Sequence, residues 1–179
     1  MNQSDSIRIV PRAWLVTLWL AAAALGVWAY PHLPERIPLH WDWRGEVNRY
    51  GSKAWSVPLL YLMSPAIYGL LGLTARLDPR RANYPRFGVA FETIRTAAAL
   101  LLLGVWLVAL WAGLGHAVDV GRVAVLGVGL LFAIIGNRLG QLRHNYFVGI
   151  RTPWTLADER VWQETHRFGG RVMVVGGVV

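Results

Sequence analysis

The sequence predicts an all-α membrane protein: a polytopic helical bundle with four full transmembrane helices, a truncated fifth and a short cytoplasmic helix. Three observations predict it. Of the 179 residues, 55% are apolar and only 16% charged, whereas a soluble domain carries about a quarter charged residues. Four long apolar runs alternate with short polar segments. Basic residues crowd some of those segments and are sparse in others, the asymmetry that orients membrane chains. The length fits one compact assembly. Along it we expect an N-terminal two-helix membrane unit with an extended outer loop over residues 1–92. A C-terminal membrane unit over residues 93–179 would follow.

The first run extends from Ala13 to Tyr30, after a polar start containing Arg8 and Arg12. A signal peptide is the rival reading, with Ala24-Leu25-Gly26 as its cleavage site. Signal cores are typically 7–15 residues; this run is longer, and Trp28 and Tyr30 at its end suit an interfacial anchor. A retained helix is favoured. The second run, Trp55 to Ala75, places Pro58 in its first turn and Pro65 mid-helix, where a kink is expected. The third, Thr96 to Leu114, carries no charge. The fourth runs from Val123 to about Ile135 and spans a bilayer only if its flanks join it, since a span needs roughly 20 residues. After Arg171 come eight apolar or glycine residues, Val172 to Val179. As a helix they would rise only about 12 Å, and the expectation is a sequence that stops inside a fifth span.

The net charge of +8 rests almost wholly on arginine, with Lys53 the single lysine. Such a balance would suit nucleic acid, but the charges lie between apolar runs instead of lining one polar face. They orient the chain, and no direct nucleic-acid contact is expected. Counting Arg and Lys gives thirteen on the side of the N-terminus and five on the other. The expected topology has the N-terminus and residues 137–171 inside and residues 31–54 outside. No ionisable residue is expected deep in the four spans, which weighs against a small transporter. The chain has no cysteine, which excludes disulfides, thiolate metal sites and cysteine nucleophiles.

Two loops carry the information. The outer one reads Tyr30-Pro31-His32-Leu33-Pro34-Glu35-Arg36-Ile37-Pro38-Leu39-His40-Trp41-Asp42-Trp43-Arg44-Gly45. Its prolines argue for an extended path, along which His40 and Asp42 would face one way and Trp41 and Trp43 the other. Zinc held by His32, His40, Asp42 and Glu46 is conceivable, but the spacing matches no metal motif. Pairing of Asp42 or Glu46 with Arg44, Arg49 or Lys53 is the stronger expectation. The inner loop contains His144-Asn145-Tyr146-Phe147-Val148-Gly149-Ile150-Arg151-Thr152-Pro153-Trp154-Thr155-Leu156. Thr155 reads as an N-cap, with a helix from Leu156 that aligns Glu159, Trp162, Gln163 and His166 on one face. Gly169-Gly170 would loosen or bend that helix. His166 with Glu159 or Glu164 would serve as an acid–base pair, and Thr155 or Thr165 as a nucleophile, but no catalytic motif accompanies them. A hydrogen-bonded polar face is the simpler reading.

Both loops resemble a known family. Ile37-Pro38-Leu39-His40-Trp41-Asp42 through Gly45 to Lys53 resembles the N-terminal membrane domain of the SdpI/YfhL family. Gly136-Asn137, then Asn145 through Leu156, then Trp162 and Thr165-His166-Arg167, resemble its C-terminal signature. Asp42 stands where relatives often have asparagine. The resemblance implies a multi-pass protein of the bacterial cytoplasmic membrane, whose namesake is longer, with six helices. It implies immunity to a secreted peptide toxin, and sequestration of a cytoplasmic repressor at the membrane. It implies no enzyme and no cofactor. Contacts with ligand or partner are then expected at His40, Asp42, Lys53, Asn145, Arg151, Trp154, Trp162 and His166. The alternative is a membrane-embedded hydrolase or transferase using His166 or His40, or a small transporter.

Overall fold

Long runs free of charge fold as helices because each backbone N–H and C=O is then satisfied within its own segment, the condition for crossing a bilayer. The computed structural model describes residues 11–179, so Arg8 lies outside the described residues. The helices are α1 (Ala13–Ala29), α2 (Lys53–Leu77), α3 (Gly88–Gly113), α4 (Val120–Leu139), α5 (Pro153–Ala157) and α6 (Glu159–Val178). A hairpin of β1 (Arg36–Trp41) and β2 (Val47–Ser52) lies between α1 and α2. Among the described residues, four stretches are long and apolar enough to cross a membrane: Ala13–His32, Lys53–Leu77, Arg81–Gly113 and Val120–Leu139. The chain is a membrane protein of mostly helical fold.

Several boundaries differ from the sequence reading. Helix α2 begins at Lys53, so Pro58 lies with Pro65 in its interior and not in its first turn. Helix α3 begins at Gly88 after a 3-10 segment, Arg81–Phe87, because Tyr84, Phe87 and Phe91 pack their rings 4.7 to 6.4 Å apart. Helix α4 begins three residues early because Asp119 caps it, its Oδ1 accepting from the Arg122 N–H at 3.0 Å. Helix α6 continues through Gly169-Gly170, where loosening or a bend was expected, and runs unbroken from Glu159 to Val178.

The described residues fall into two compact units, and α2, α3 and α4 each contribute to both. One unit holds residues 11–66 and 99–127. Its centre is Trp106, 1% exposed, whose indole donates to the Val57 carbonyl at 3.0 Å and meets the Tyr61 ring edge-on at 5.4 Å. A Cβ at Gly26 would come within 2.9 Å of that indole, so only glycine lets α1 approach. Ser64 links three helices of this unit. It accepts from the Trp19 indole at 2.9 Å and donates to the Ala99 carbonyl at 2.7 Å.

The other unit holds residues 67–98 and 128–179. Its core gathers Tyr84, Phe87, Phe91, Ile94, Leu139, Leu142 and Trp162. Two features here escaped the sequence reading. Arg95, assigned to a loop, is a buried residue of α3. Its Nε donates to Glu92 at 2.6 Å, the Tyr68 hydroxyl donates to the same carboxylate at 2.6 Å, and the guanidinium lies 4.0 Å over the Tyr68 ring. The expectation of no ionisable group deep in the spans was drawn for a shorter third span than α3. The apolar run was read from Thr96, but the helix begins eight residues earlier and carries the pair inside it. The second feature is the contact of α4 with α6. A Cβ on Gly136 would lie 2.6 Å from the Gly170 carbonyl oxygen, and one on Gly129 would lie 2.7 Å from that of Gly177. Backbones this close are the small-residue packing of membrane helices. It fixes Gly170 to Gly177 in the helix where a bend was expected.

A valine at Gly136 must push two backbones apart. Gly136→Val should destabilise by about 1–3 kcal/mol, the usual cost of overpacking. A Cβ at Gly69 meets nothing within 4 Å, and Gly69→Ala should be neutral or stabilise by up to about 1 kcal/mol. Melting of the two variants in detergent separates them; equal melting temperatures would contradict the close contact.

Candidate functional site

The expected contact residues fall on two structures, one in each unit. The first is the hairpin. Its strands pair antiparallel, Arg36 opposite Ser52 and Trp41 opposite Val47, with irregular register around His40. The simple alternation expected for His40, Trp41, Asp42 and Trp43 is broken, because the strand ends at Trp41 and Asp42 opens the turn. Asp42 Oδ1 accepts the N–H of Arg44 at 2.8 Å and of Glu46 at 3.0 Å. Gly45 takes φ +81°, which glycine adopts without penalty. Asp42 thus builds the turn, and the ion pair expected of it with Arg44, Arg49 or Lys53 is not made. The backbone donors are nearer and already fixed. His40 Nδ1 meets Asn48 Oδ1 across the hairpin at 2.7 Å.

Lys53, at the junction with α2, donates to the Leu33 carbonyl at 2.9 Å, pairs with Glu35 at 3.3 Å and lies 5.2 Å over the Tyr30 ring. The tip of the hairpin presents Trp43, 86% exposed, with the Arg44 guanidinium 4.7 Å over its ring. His40, Asp42 and Lys53 therefore hold the hairpin, while Trp43 and Arg44 are its free surface.

The second structure is the segment Gly140 to Thr152 with α5 and the start of α6. Thirteen residues without helix or strand must place their polar backbone groups, and buried side chains take them. Asn145 accepts the N–H groups of Phe147 and Val148 at 2.9 and 2.7 Å and donates to the carbonyls of Arg143 and Val148, both at 2.9 Å. His166 Nε2 accepts the Ile150 N–H at 2.9 Å. The ring proton must then sit on Nδ1, which donates to the Trp162 carbonyl at 2.7 Å. The Trp162 indole stacks on the imidazole at 4.0 Å and donates to the Leu142 carbonyl at 3.0 Å. Gly149, at φ +122°, passes so close to the imidazole that any side chain would collide with it.

The helix starts differ from those expected. Thr152 caps α5 in a reciprocal box with Thr155, and Pro153 fills the first helical position. Asp158 caps α6, accepting from Arg160 and Val161 at 2.7 and 3.0 Å. Those two donors hold its carboxyl below the usual range. Thr155 was read as the N-cap because it precedes the acidic pair, but its hydroxyl donates to the Ile150 carbonyl at 2.9 Å. His166 bonds to backbone on both nitrogens, and Glu164 pairs with Arg160 at 2.9 Å. The acid–base pair weighed for His166 with Glu164 does not form.

Trp162 and His166 are brought together, and both are fully buried, as is Asn145. Arg151 and Trp154 are not part of that cluster. Arg151 is exposed and donates to the Tyr146 carbonyl at 3.0 Å, and Trp154 is 72% exposed. The sequence reading missed Asp78, 1% exposed, which accepts the Tyr146 N–H at 2.9 Å, the Tyr84 hydroxyl at 3.1 Å and the Arg80 N–H at 2.7 Å. Asp78-Pro79 directly after an apolar run was the available signal, since aspartate before proline marks a turn.

Burial keeps His166 neutral and pushes its pKa down; for His144 burial acts first and the Arg80 guanidinium second, in the same direction. In the unfolded chain both would titrate near about 6.5. With the folded values lower, the unfolded state binds more protons in the interval, so stability falls as pH drops below about 6.5. It stops falling once pH is below the folded values. The melting temperature in detergent should decline through this window, and His144→Gln with His166→Gln should flatten the decline while lowering the whole curve. A wild-type curve flat from pH 7.5 to 5 would contradict the neutral pair.

Two family models match this chain. The SdpI/YfhL protein family matches residues 141–179, which include most of the buried loop. A domain of unknown function (DUF1648) matches residues 17–64, which include the hairpin. Over 153 residues the chain is 31% identical to the immunity protein SdpI of Bacillus subtilis (strain 168), covering 84% of this chain and 70% of that protein. No solved structure matches. With a relative this similar across most of both chains, and with both loops inside the matched segments, the chain belongs to the SdpI/YfhL protein family.

Proposed function

We propose that this protein is a membrane-resident binding protein that protects its bilayer against a peptide toxin, and that it is not an enzyme. The observation that carries the reading is its similarity across 84% of the chain to a protein named for immunity. The site chemistry agrees with binding. Both nitrogens of His166 are committed to backbone groups, and His40 to Asn48. The exposed groups are those that make contacts: Trp43 with Arg44 on the hairpin, and Arg151 with Trp154 beside the buried loop. Aromatic and arginine side chains of this kind dominate binding surfaces.

In this reading the protein lies in a bacterial cytoplasmic membrane with the N-terminus inside. The arginine asymmetry supports that topology: moving Arg95 from its loop into α3 leaves twelve basic residues against five. The hairpin would then face the toxin, and Arg151 and Trp154 would meet a cytoplasmic partner such as a repressor.

Single cysteines at Ser52 and Ala157 should react from opposite sides of intact cells with an impermeant thiol reagent; labelling of both from outside would reject the topology. Expression in a toxin-sensitive cell should preserve membrane potential during challenge with a peptide toxin. Trp43→Ala should weaken protection by about tenfold or more, in the range of hot-spot residues, while leaving the melting temperature within a few degrees. Trp154→Ala should preserve protection and lose only the cytoplasmic partner. Survival equal to that of empty-vector cells across a panel of membrane-active peptides would end the immunity reading.

A further inference from the structure

The unit centred on Trp106 contains an apolar cavity of about 440 Å³, within the size of small-ligand sites, about 300–1,000 Å³. It lies between α1 and α2, with Ala23 and Gly26 on one wall, Val57 and Tyr61 on the other, and Trp106 as its floor. Val27, which also lines it, is 75% exposed, so the groove opens sideways from two membrane-spanning helices. The polar groups of its inner walls are already used. The Tyr61 hydroxyl donates to the Trp19 carbonyl at 2.8 Å, and the Trp106 indole donates to the Val57 carbonyl. An extended peptide would bring backbone groups that these walls cannot pair, at a cost of a few kcal/mol each. A hydrocarbon chain loses nothing there.

The end of the groove at the close of α1 and the start of α2 is different. Tyr30 and Ala54 line it, and the Lys53 ammonium sits 5.2 Å over the Tyr30 ring. That ammonium is held in place by the Leu33 carbonyl, while its ion-pair partner Glu35 is 87% exposed and free to swing away. Arg36 follows directly in sequence and is exposed. An apolar groove with a positioned cation beside one end matches one kind of molecule: an amphiphile with a long acyl tail and an anionic head.

We propose that this groove binds one acyl chain of an anionic phospholipid, with the headgroup phosphate taken by Lys53 in exchange for Glu35. The proposal does not depend on the toxin reading, because its readout is lipid. Purified protein in detergent, stripped of lipid and titrated with phosphatidylglycerol or phosphatidylcholine, should retain one phosphatidylglycerol per chain by native mass spectrometry. It should prefer that lipid by about fivefold, the worth of one basic side chain near an anionic headgroup. Lys53→Gln should remove the preference, and Glu35→Gln should strengthen it. Ala23→Phe, which fills the groove, should abolish retention while melting like the wild type without lipid. If Lys53→Gln fails to fold, Glu35→Gln and Ala23→Phe still decide. Lipid retained by a folded Ala23→Phe variant, equal retention of the two lipids by the wild type, or saturation by an apolar peptide in place of lipid would overturn the proposal.

Discussion

Backbone polar groups that cannot reach water must find partners within the protein, and this constraint organises the molecule. Helices meet it internally along the four apolar spans. The loop between α4 and α5 cannot, because it has neither helix nor strand. Asn145 answers for four backbone groups, His166 for two, and Asp78 anchors the Tyr146 N–H from another part of the chain. Each of these side chains is buried, where an unmade bond costs about 1–3 kcal/mol. That cost explains why so many polar residues sit in a short segment beside apolar helices.

The same constraint separates holding from contacting. A side chain that has spent its donors and acceptors on the backbone has little left for a partner. Asn145, Trp162 and His166 are in that position, as is Asp42 in the hairpin. The surfaces left over are Trp43 with the Arg44 guanidinium over its ring, and the exposed side chains of Arg151 and Trp154. Rigid support beneath and an exposed anchor above is how binding sites gain affinity without ordering costs.

Inside the helical parts, approach distance does similar work. Gly26 admits the Trp106 indole, and Gly129, Gly136, Gly170 and Gly177 admit backbone against backbone. Lipid gives helices no hydrophobic reason to associate, so close packing and internal polar links replace it. The pair of Glu92 and Arg95, closed by the Tyr68 hydroxyl and ring, is one such link. Charges in this setting are tolerated when paired with each other.

The four spans, the predominantly helical class and the family motifs in both loops were legible in the sequence. Hydropathy over 20 residues is a local property, and so is the arginine asymmetry. The motif from Gly149 to Leu156 identified the loop before its geometry was known. Helix starts were less legible, because Asp119, Thr152 and Asp158 compete as caps with neighbours of the same chemistry, and only backbone direction chooses among them. The hairpin was read as a plain extended ribbon, since strand pairing joins residues up to sixteen positions apart, Arg36 with Ser52. Tertiary structure alone decided that Arg95 is buried, that Gly170 and Gly177 lie inside an unbroken helix, and that His166 is a neutral acceptor. Each of those outcomes depends on which distant group arrives within about 3 Å, the reach of a hydrogen bond. The sequence by itself determined where the chain would be helical and which residues were polar enough to matter. Packing determined which of them were spent on the fold and which were left free to bind.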